Sequence, residues 1–465
     1  MAFMQIPGAC MDFVEDSDRD WEWKNERNGD APEIILSKYI GEKKKVVVPF
    51  GYIVAKNLKQ FVSLLQNGTL EDLLDIAEFH PAWDVCGYVN TIADSAFEDN
   101  DTIEEIWLPN TITKIGKNAF RSCTALKHVY FYDAQRRNAK IVYRCFEDDC
   151  LNAEIECCYA ENRDVPESRL ESLPEGLFEF CEMLESFDYL KDVSSIGAAC
   201  FHGCGMLGRA ELPDRLEKIP DMAFAGCKLL KDIHIPDTVK KIGKEAFSEC
   251  KQLESIDIPS DVDCLQEGTF YYCISLERIS LPCKIHSIGD ACFRGCVALK
   301  DITLPACLKT IGQGAFACCR RVGRMVVPMS VEDIGGSAFS DCAGLSVIEL
   351  PEVIGNIGAY AFKGCVNLTE CILPYNQPYV ADGLFQGCRS LENIRIQEGI
   401  RSVGINAFFG CRNLKDLRIP ESTRDIEKNA FAESGIENLF LPRRFDTKDL
   451  KECGINYEQT NVEWI

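Results

Sequence analysis

The residues of this chain most able to do chemistry are 26 cysteines and 5 histidines, and their spacing decides what they can do. The histidines, His80, His128, His202, His234 and His286, are scattered with no pair four residues apart, so the two-His face of a helical zinc site is not formed. Cys145, Cys150 and the adjacent Cys157-Cys158 stand in an acidic stretch, and they carry the one reading of this chain as a metal enzyme or hydrolase. No CxxC pair accompanies them, which favours structural or surface thiols. No G-x-x-x-x-G-K-[ST] run exists, and neither a phosphate cradle nor a dinucleotide-binding turn is expected. Asp261-Val262-Asp263 is too short for a calcium loop. The expectation is therefore no catalytic set, no resident metal and no cofactor.

Most cysteines follow a different rule. Cys123, Cys181, Cys204, Cys227, Cys250, Cys273, Cys296, Cys319, Cys342, Cys365, Cys388 and Cys411 each stand three residues after a phenylalanine. Free cysteine tolerates burial as a small hydrophobe, so this is a packing column on a tight turn. Stacked neighbours would lie about 5 Å apart, within disulfide reach, but no secretory signal is visible and reduced thiols are expected.

The phenylalanines set the elements that position these residues. Phe178, Phe201, Phe224, Phe247, Phe270, Phe293, Phe316, Phe339, Phe362, Phe385, Phe408 and Phe431 are each 23 residues apart, as are Phe97 and Phe120 upstream. Around each phenylalanine the same unit recurs, as in Ile233 to Leu253. A short strand of alternating apolar residues ends in Pro, a second extended piece ends in Ile-Gly, and an Ala-Phe-x-x-Cys-x-x-Leu segment follows. Strand alternation puts one face inward and one outward. Proline, lacking an N–H, suits the end of the ladder. The glycine permits a turn that other residues resist. The Phe, Cys and Leu spacing reads as a single helical turn, which makes the chain an α/β repeat. A unit of this length buries its core only by stacking on its neighbours, so a solenoid forming one elongated body is predicted.

The expected organisation is a leader and N-terminal cap over 1–50, a short helical insertion over 51–88, the repeat array over 89–442 and a C-terminal cap over 443–465. The helices of the insertion are placed at Leu58–Leu65 and Leu70–Ala77. Within the array the register slips between Phe120 and Phe178, so residues 132–175 are an irregular insertion.

A net charge of −23 argues against nucleic-acid and anionic-membrane partners. No apolar run is long enough to span a membrane, and as it stands the chain is expected to be cytoplasmic, or at the cell surface if a signal has been trimmed away.

The pattern Ile-x-Ile-Pro-x-x-Val-x-x-Ile-Gly-x-x-Ala-Phe-x-x-Cys-x-x-Leu resembles the BspA-like branch of the leucine-rich repeats over about residues 89–442. That resemblance implies a right-handed solenoid with short strands on a concave face. It also implies a surface protein or adhesin that binds other proteins, as the alternative to an intracellular scaffold.

Core columns repeat while the outward strand residues vary, which leaves the latter free to encode recognition. The candidate partner-binding residues are Trp107, Tyr130, Glu211, His234, Asp257, Arg324, Val326, Val347, Glu349, Ile372, Arg395 and Arg418. Exposed aromatic and aliphatic side chains are typical interface anchors. Val326, Val347 and Ile372 beside Arg395 and Arg418 form the preferred patch. The expected function is a non-enzymatic scaffold that presents this face to a protein or peptide.

Overall fold

Each coil of the array exists because an isolated 23-residue unit cannot satisfy its own strand N–H groups or cover its own apolar side. In the computed structural model, residues 3–6, 21–28, 31–42, 44–47, 51–55, 83–109, 112–132, 140–142, 154–156, 170–187, 193–456 and 458–465 are described. They belong to two units, Met1–Pro213 and Asp214–Ile465.

In the first unit, five strands form a sheet in the order Phe3–Ile6, Gly51–Ala55, Trp83–Ile92, Ala31–Tyr39 and Trp21–Asn28. The array begins along two ladders, one continuing this sheet and one separate from it. Trp83–Ile92 pairs in parallel with Lys114–Ile115, and Lys45–Val47 pairs in parallel with Glu105–Pro109, which pairs in turn with His128–Tyr132. Val46 thus occupies the place of a repeat strand, opposite Ile106. Tyr39 is buried with its ring 5.6 Å from Phe97, closing the phenylalanine column. The helices expected within 58–65 and 70–77 lie outside the described residues.

The 132–175 insertion leaves that column intact. Phe120 stacks directly on Phe178 at 5.5 Å, and its N–H donates to the Leu177 carbonyl at 3.0 Å. Within the insertion, Lys140–Val142 and Glu154–Glu156 pair antiparallel.

The second unit is the regular part, and its coils are held by three ladders. On one side lie strands such as Arg324–Val326, Val347–Glu349, Glu370–Ile372 and Asn393–Arg395, parallel and displaced by one coil. On a second side lie two-residue strands from Cys264–Leu265 through Ser287–Ile288, Thr310–Ile311 and Asp333–Ile334 to Asn356–Ile357. On the third, the N–H groups of Met222, Phe224 and Gly226 donate to the carbonyls of Lys244, Ala246 and Ser248 at 2.9, 2.9 and 2.7 Å. Inside, Ala246, Phe247, Cys250 and Leu253 are fully buried. Successive rings from Phe224 to Phe431 stack at 5.2 to 6.0 Å.

Two expectations need correction. The Ala-Phe-x-x-Cys segment is a chain of tight turns, not a helical turn. Glu245 and Glu249, two residues either side of Phe247, have φ of 52° and 56°, and a right-handed helix admits no left-handed residue. Its bonds run over three residues, as from the Cys250 N–H to the Phe247 carbonyl at 3.3 Å. Among the described residues the one α-helix is Thr447–Glu452 in the C-terminal segment, with Asp446 and Asp449 forming a capping box. The Ile-Gly glycine is likewise selected by close approach, not by turn geometry. A Cβ on Gly312 would lie 2.6 Å from both the Asp290 nitrogen and the Gly289 carbonyl carbon of the preceding coil.

The far end of the second unit is covered by the segment after Pro442. Asn461–Trp464 pairs in parallel with Asn438–Leu441, and the Phe431 N–H donates to the Cys453 carbonyl at 2.9 Å.

Candidate functional site

Strand alternation carries the proposed recognition residues to the surface because their neighbours at odd steps enter the core. Met325, Ile348, Cys371 and Leu417 are buried, while Arg324, Val326, Glu349, Ile372, Arg395 and Arg418 are exposed and Val347 is half-buried. His234 and Asp257 are also exposed, in earlier coils of the same unit, although the backbone at His234 forms no regular strand.

The ladder sets which of these meet. Val326 pairs with Glu349, and Ile372 with Arg395, so Val326, Glu349, Ile372, Arg395 and Arg418 follow one another along one outward column. Arg324, Val347 and Glu370 form the column beside it. The expected patch is therefore interrupted: Glu349 stands between Val326 and Ile372, and it is held by an ion pair with Arg324. The guanidinium of Arg418 lies 5.9 Å from the Phe440 ring. Arg395 makes no ion pair among the described residues.

Three apolar residues missed by the sequence reading enlarge this site. Met329, Val353 and Tyr375, on the turns that leave the strands, are 72%, 59% and 54% exposed, beside Val326 and Ile372 at 50% and 60%. The signal was available, since the same turn holds Asp237, Ser260, Glu398 or Glu421 in other coils. Inward periodicity simply gives no reason to inspect a turn.

In the first unit, Trp107 and Tyr130 are register partners whose rings stack at 4.4 Å. His128 lies 5.7 Å from Tyr130, with its Nε2 3.9 Å from Glu185. Glu211 is exposed near the end of that unit, away from any named strand. Trp107, Tyr130 and Glu211 therefore do not share a unit with the apolar patch.

The thiol column is chemically quiet. Column Sγ–H groups donate to the phenylalanine carbonyl of the preceding coil, as Cys250 does to Phe224 at 3.2 Å and Cys319 to Phe293 at 3.1 Å. Burial pushes the Cys250 and Cys319 thiols well above their ordinary range, and Cys411 up to about 12. A protonated, enclosed thiol is neither nucleophile nor metal ligand. Among the described residues no three His, Cys, Asp or Glu side chains gather as a metal site. The cysteines at 145, 150, 157 and 158 lie outside those residues. An open cleft of about 520 Å³ lies over the second ladder, lined by Asn356, Tyr379, Ser402 and Glu427 among others.

The run Gly203-Cys204-Gly205-Met206-Leu207-Gly208 has the letters of a dinucleotide-binding turn. Cys204 and Leu207 are buried column residues and no helix follows, so it lacks the strand-to-helix setting of that motif.

The sequence profile described as the BspA type leucine-rich repeat region matches residues 90–231, 217–346 and 333–453. No curated protein matches the chain. Among solved structures, a leucine-rich repeat protein from Bacteroides ovatus is similar at a TM-score of 0.66 and 21% identity, covering 97% of this chain and 99% of that one. A leucine-rich cell surface protein from Faecalibacterium prausnitzii shares 20% identity over 95% of this chain and 97% of its own, at a TM-score of 0.49. The first likeness supports a leucine-rich-repeat solenoid built of parallel strands with almost no helix. Among the described residues no helix is long and apolar enough to cross a membrane.

Proposed function

The chain belongs to the BspA-type leucine-rich repeat family, and from that premise we propose that its second unit is a non-enzymatic docking module. Its ligand is an extended protein segment that combines apolar side chains with carboxylates. The observation that carries this reading is the exposure of Val326, Ile372, Met329, Val353 and Tyr375 in neighbouring coils next to Arg395 and Arg418. Exposed apolar groups clustered this way mark interaction surfaces. Arg395 and Arg418, exposed in adjacent coils, favour carboxylates at the matching place on the partner. Trp107 and Tyr130 supply a separate aromatic contact in the first unit.

Selection of displayed random peptides on the full chain tests this. The expected ligands carry Asp or Glu beside aliphatic or aromatic residues. Ile372→Glu and the pair Arg395→Glu with Arg418→Glu each weaken binding by roughly tenfold or more, the scale of interface hot spots, while Lys218→Ala, exposed on the other ladder, leaves it unchanged. Ligands indifferent to all three arginine and isoleucine changes overturn the reading. The surface-adhesin reading shares the docking face and differs in location, so cell fractionation separates it: recovery only in cytosol removes it.

A further inference from the structure

Among the described residues, two cysteines are exposed, Cys283 and Cys307, and both lie outside the buried column. They sit on consecutive turns of the stack. The turn Pro282 to Ile285 closes by the Ile285 N–H donating to the Pro282 carbonyl at 3.2 Å, and the turn Pro305 to Leu308 by the Leu308 N–H donating to the Pro305 carbonyl at 3.0 Å. Cys283 is the second residue of one turn and Cys307 the third residue of the next.

The position of Cys307 aims its side chain at the coil before it. Thr238 and Ser422 hold the same place in their coils; Thr238 donates to the Asp214 and Leu216 carbonyls at 2.9 Å each, and Ser422 to the Ile400 carbonyl at 2.9 Å. Cys307 does likewise, with its Sγ against the Cys283 carbonyl oxygen and 3.5 Å from that of Ile285. The thiol is thus directed onto the turn that carries the other cysteine. A step of about 3.8 Å along the chain and about 4.8 Å between stacked backbones places the two Cα atoms about 6 Å apart. That is within the range a disulfide spans.

We propose that Cys283 and Cys307 form a redox modification site, an exposed dithiol that peroxide closes into an inter-coil disulfide. One thiolate attacks the peroxide O–O bond, giving a sulfenic acid and releasing hydroxide. The second thiol then attacks that sulfur, expelling water and leaving the S–S bond. Two thiols are oxidised and one peroxide is reduced to two waters, with no other reactant. The column thiols are spared because they are enclosed, with Sγ–H groups such as those of Cys273 and Cys296 committed to phenylalanine carbonyls. The bridge pins the turn ridge that, one coil beyond Cys307, carries Met329, and so reaches the edge of the docking face.

The test treats the reduced, folded full chain with a slight excess of hydrogen peroxide, alkylates the remaining thiols, and maps peptides without reductant. The expected product is a monomer carrying a Cys283–Cys307 linked peptide two hydrogens lighter than the separate pair. It is lost with dithiothreitol and absent from Cys283→Ser, which keeps the circular dichroism of the parent chain. Peroxide that leaves both thiols alkylatable overturns the proposal, as does conversion of either to sulfinic acid or to an intermolecular bridge without the internal link.

Discussion

At the residue scale the repeated cysteine does two things at once. It fills a small buried space, and its Sγ–H reaches a carbonyl one coil back, as from Cys342 to Phe316 at 3.0 Å. The first role was legible from the column of Cys three residues after Phe. The second was not, because the acceptor is 26 residues away in sequence. Burial holds these thiols neutral when folded, whereas an unfolded thiol ionises near 9.0 and Cys411 only at about 12. Stability is therefore fully present below about pH 8 and falls as the pH rises between those values. Each buried thiol removes up to about 1.4 kcal/mol per pH unit in that window. Urea midpoints measured in reductant should be flat from pH 6.5 to 8 and drop steeply above 9. The drop should be shallower when Cys250 and Cys319 are replaced by alanine; an unchanged slope counts against the assignment.

At the element scale the turn segment shows where periodicity misleads. Apolar residues three apart suit a helical turn and a chain of three-residue turns equally well, because both bring the same positions inward. Left-handed residues four apart, as at Glu245 and Glu249, separate the two, and the sequence marks them only where glycine was chosen. Ala291, with φ of 50°, occupies the place held by Gly268 and Gly314 in the adjacent coils, where φ is 60° and 61°. A side chain in that region costs about 1–2 kcal/mol, while glycine adds unfolded-state entropy. Ala291→Gly should consequently stabilise the protein by about 0.5–1 kcal/mol, read as a higher urea midpoint. A loss of stability would mean that the Ala291 methyl makes packing contacts worth more than the backbone strain.

At the whole-molecule scale each array must end, and the ends decide solubility. In the second unit, Asn461–Trp464 occupies the ladder that Asn438–Leu441 would otherwise expose. Deletion of residues 443–465 should uncover Leu439 and Leu441, both buried, and produce aggregation in sedimentation. A monodisperse, fully folded product would show that the last coil tolerates an open edge. The repeat length, the inward columns, the outward residues and the family were all determined by sequence, because each coil repeats one local solution and repetition is visible without coordinates. What only the tertiary structure decided lies between coils. Stacking places Glu349 between Val326 and Ile372, brings Met329 and Tyr375 alongside them, and aims Cys307 at Cys283. Those neighbours are 22 to 24 residues apart in sequence or on turns, and their contacts are fixed by backbone register and not by any pattern within one repeat.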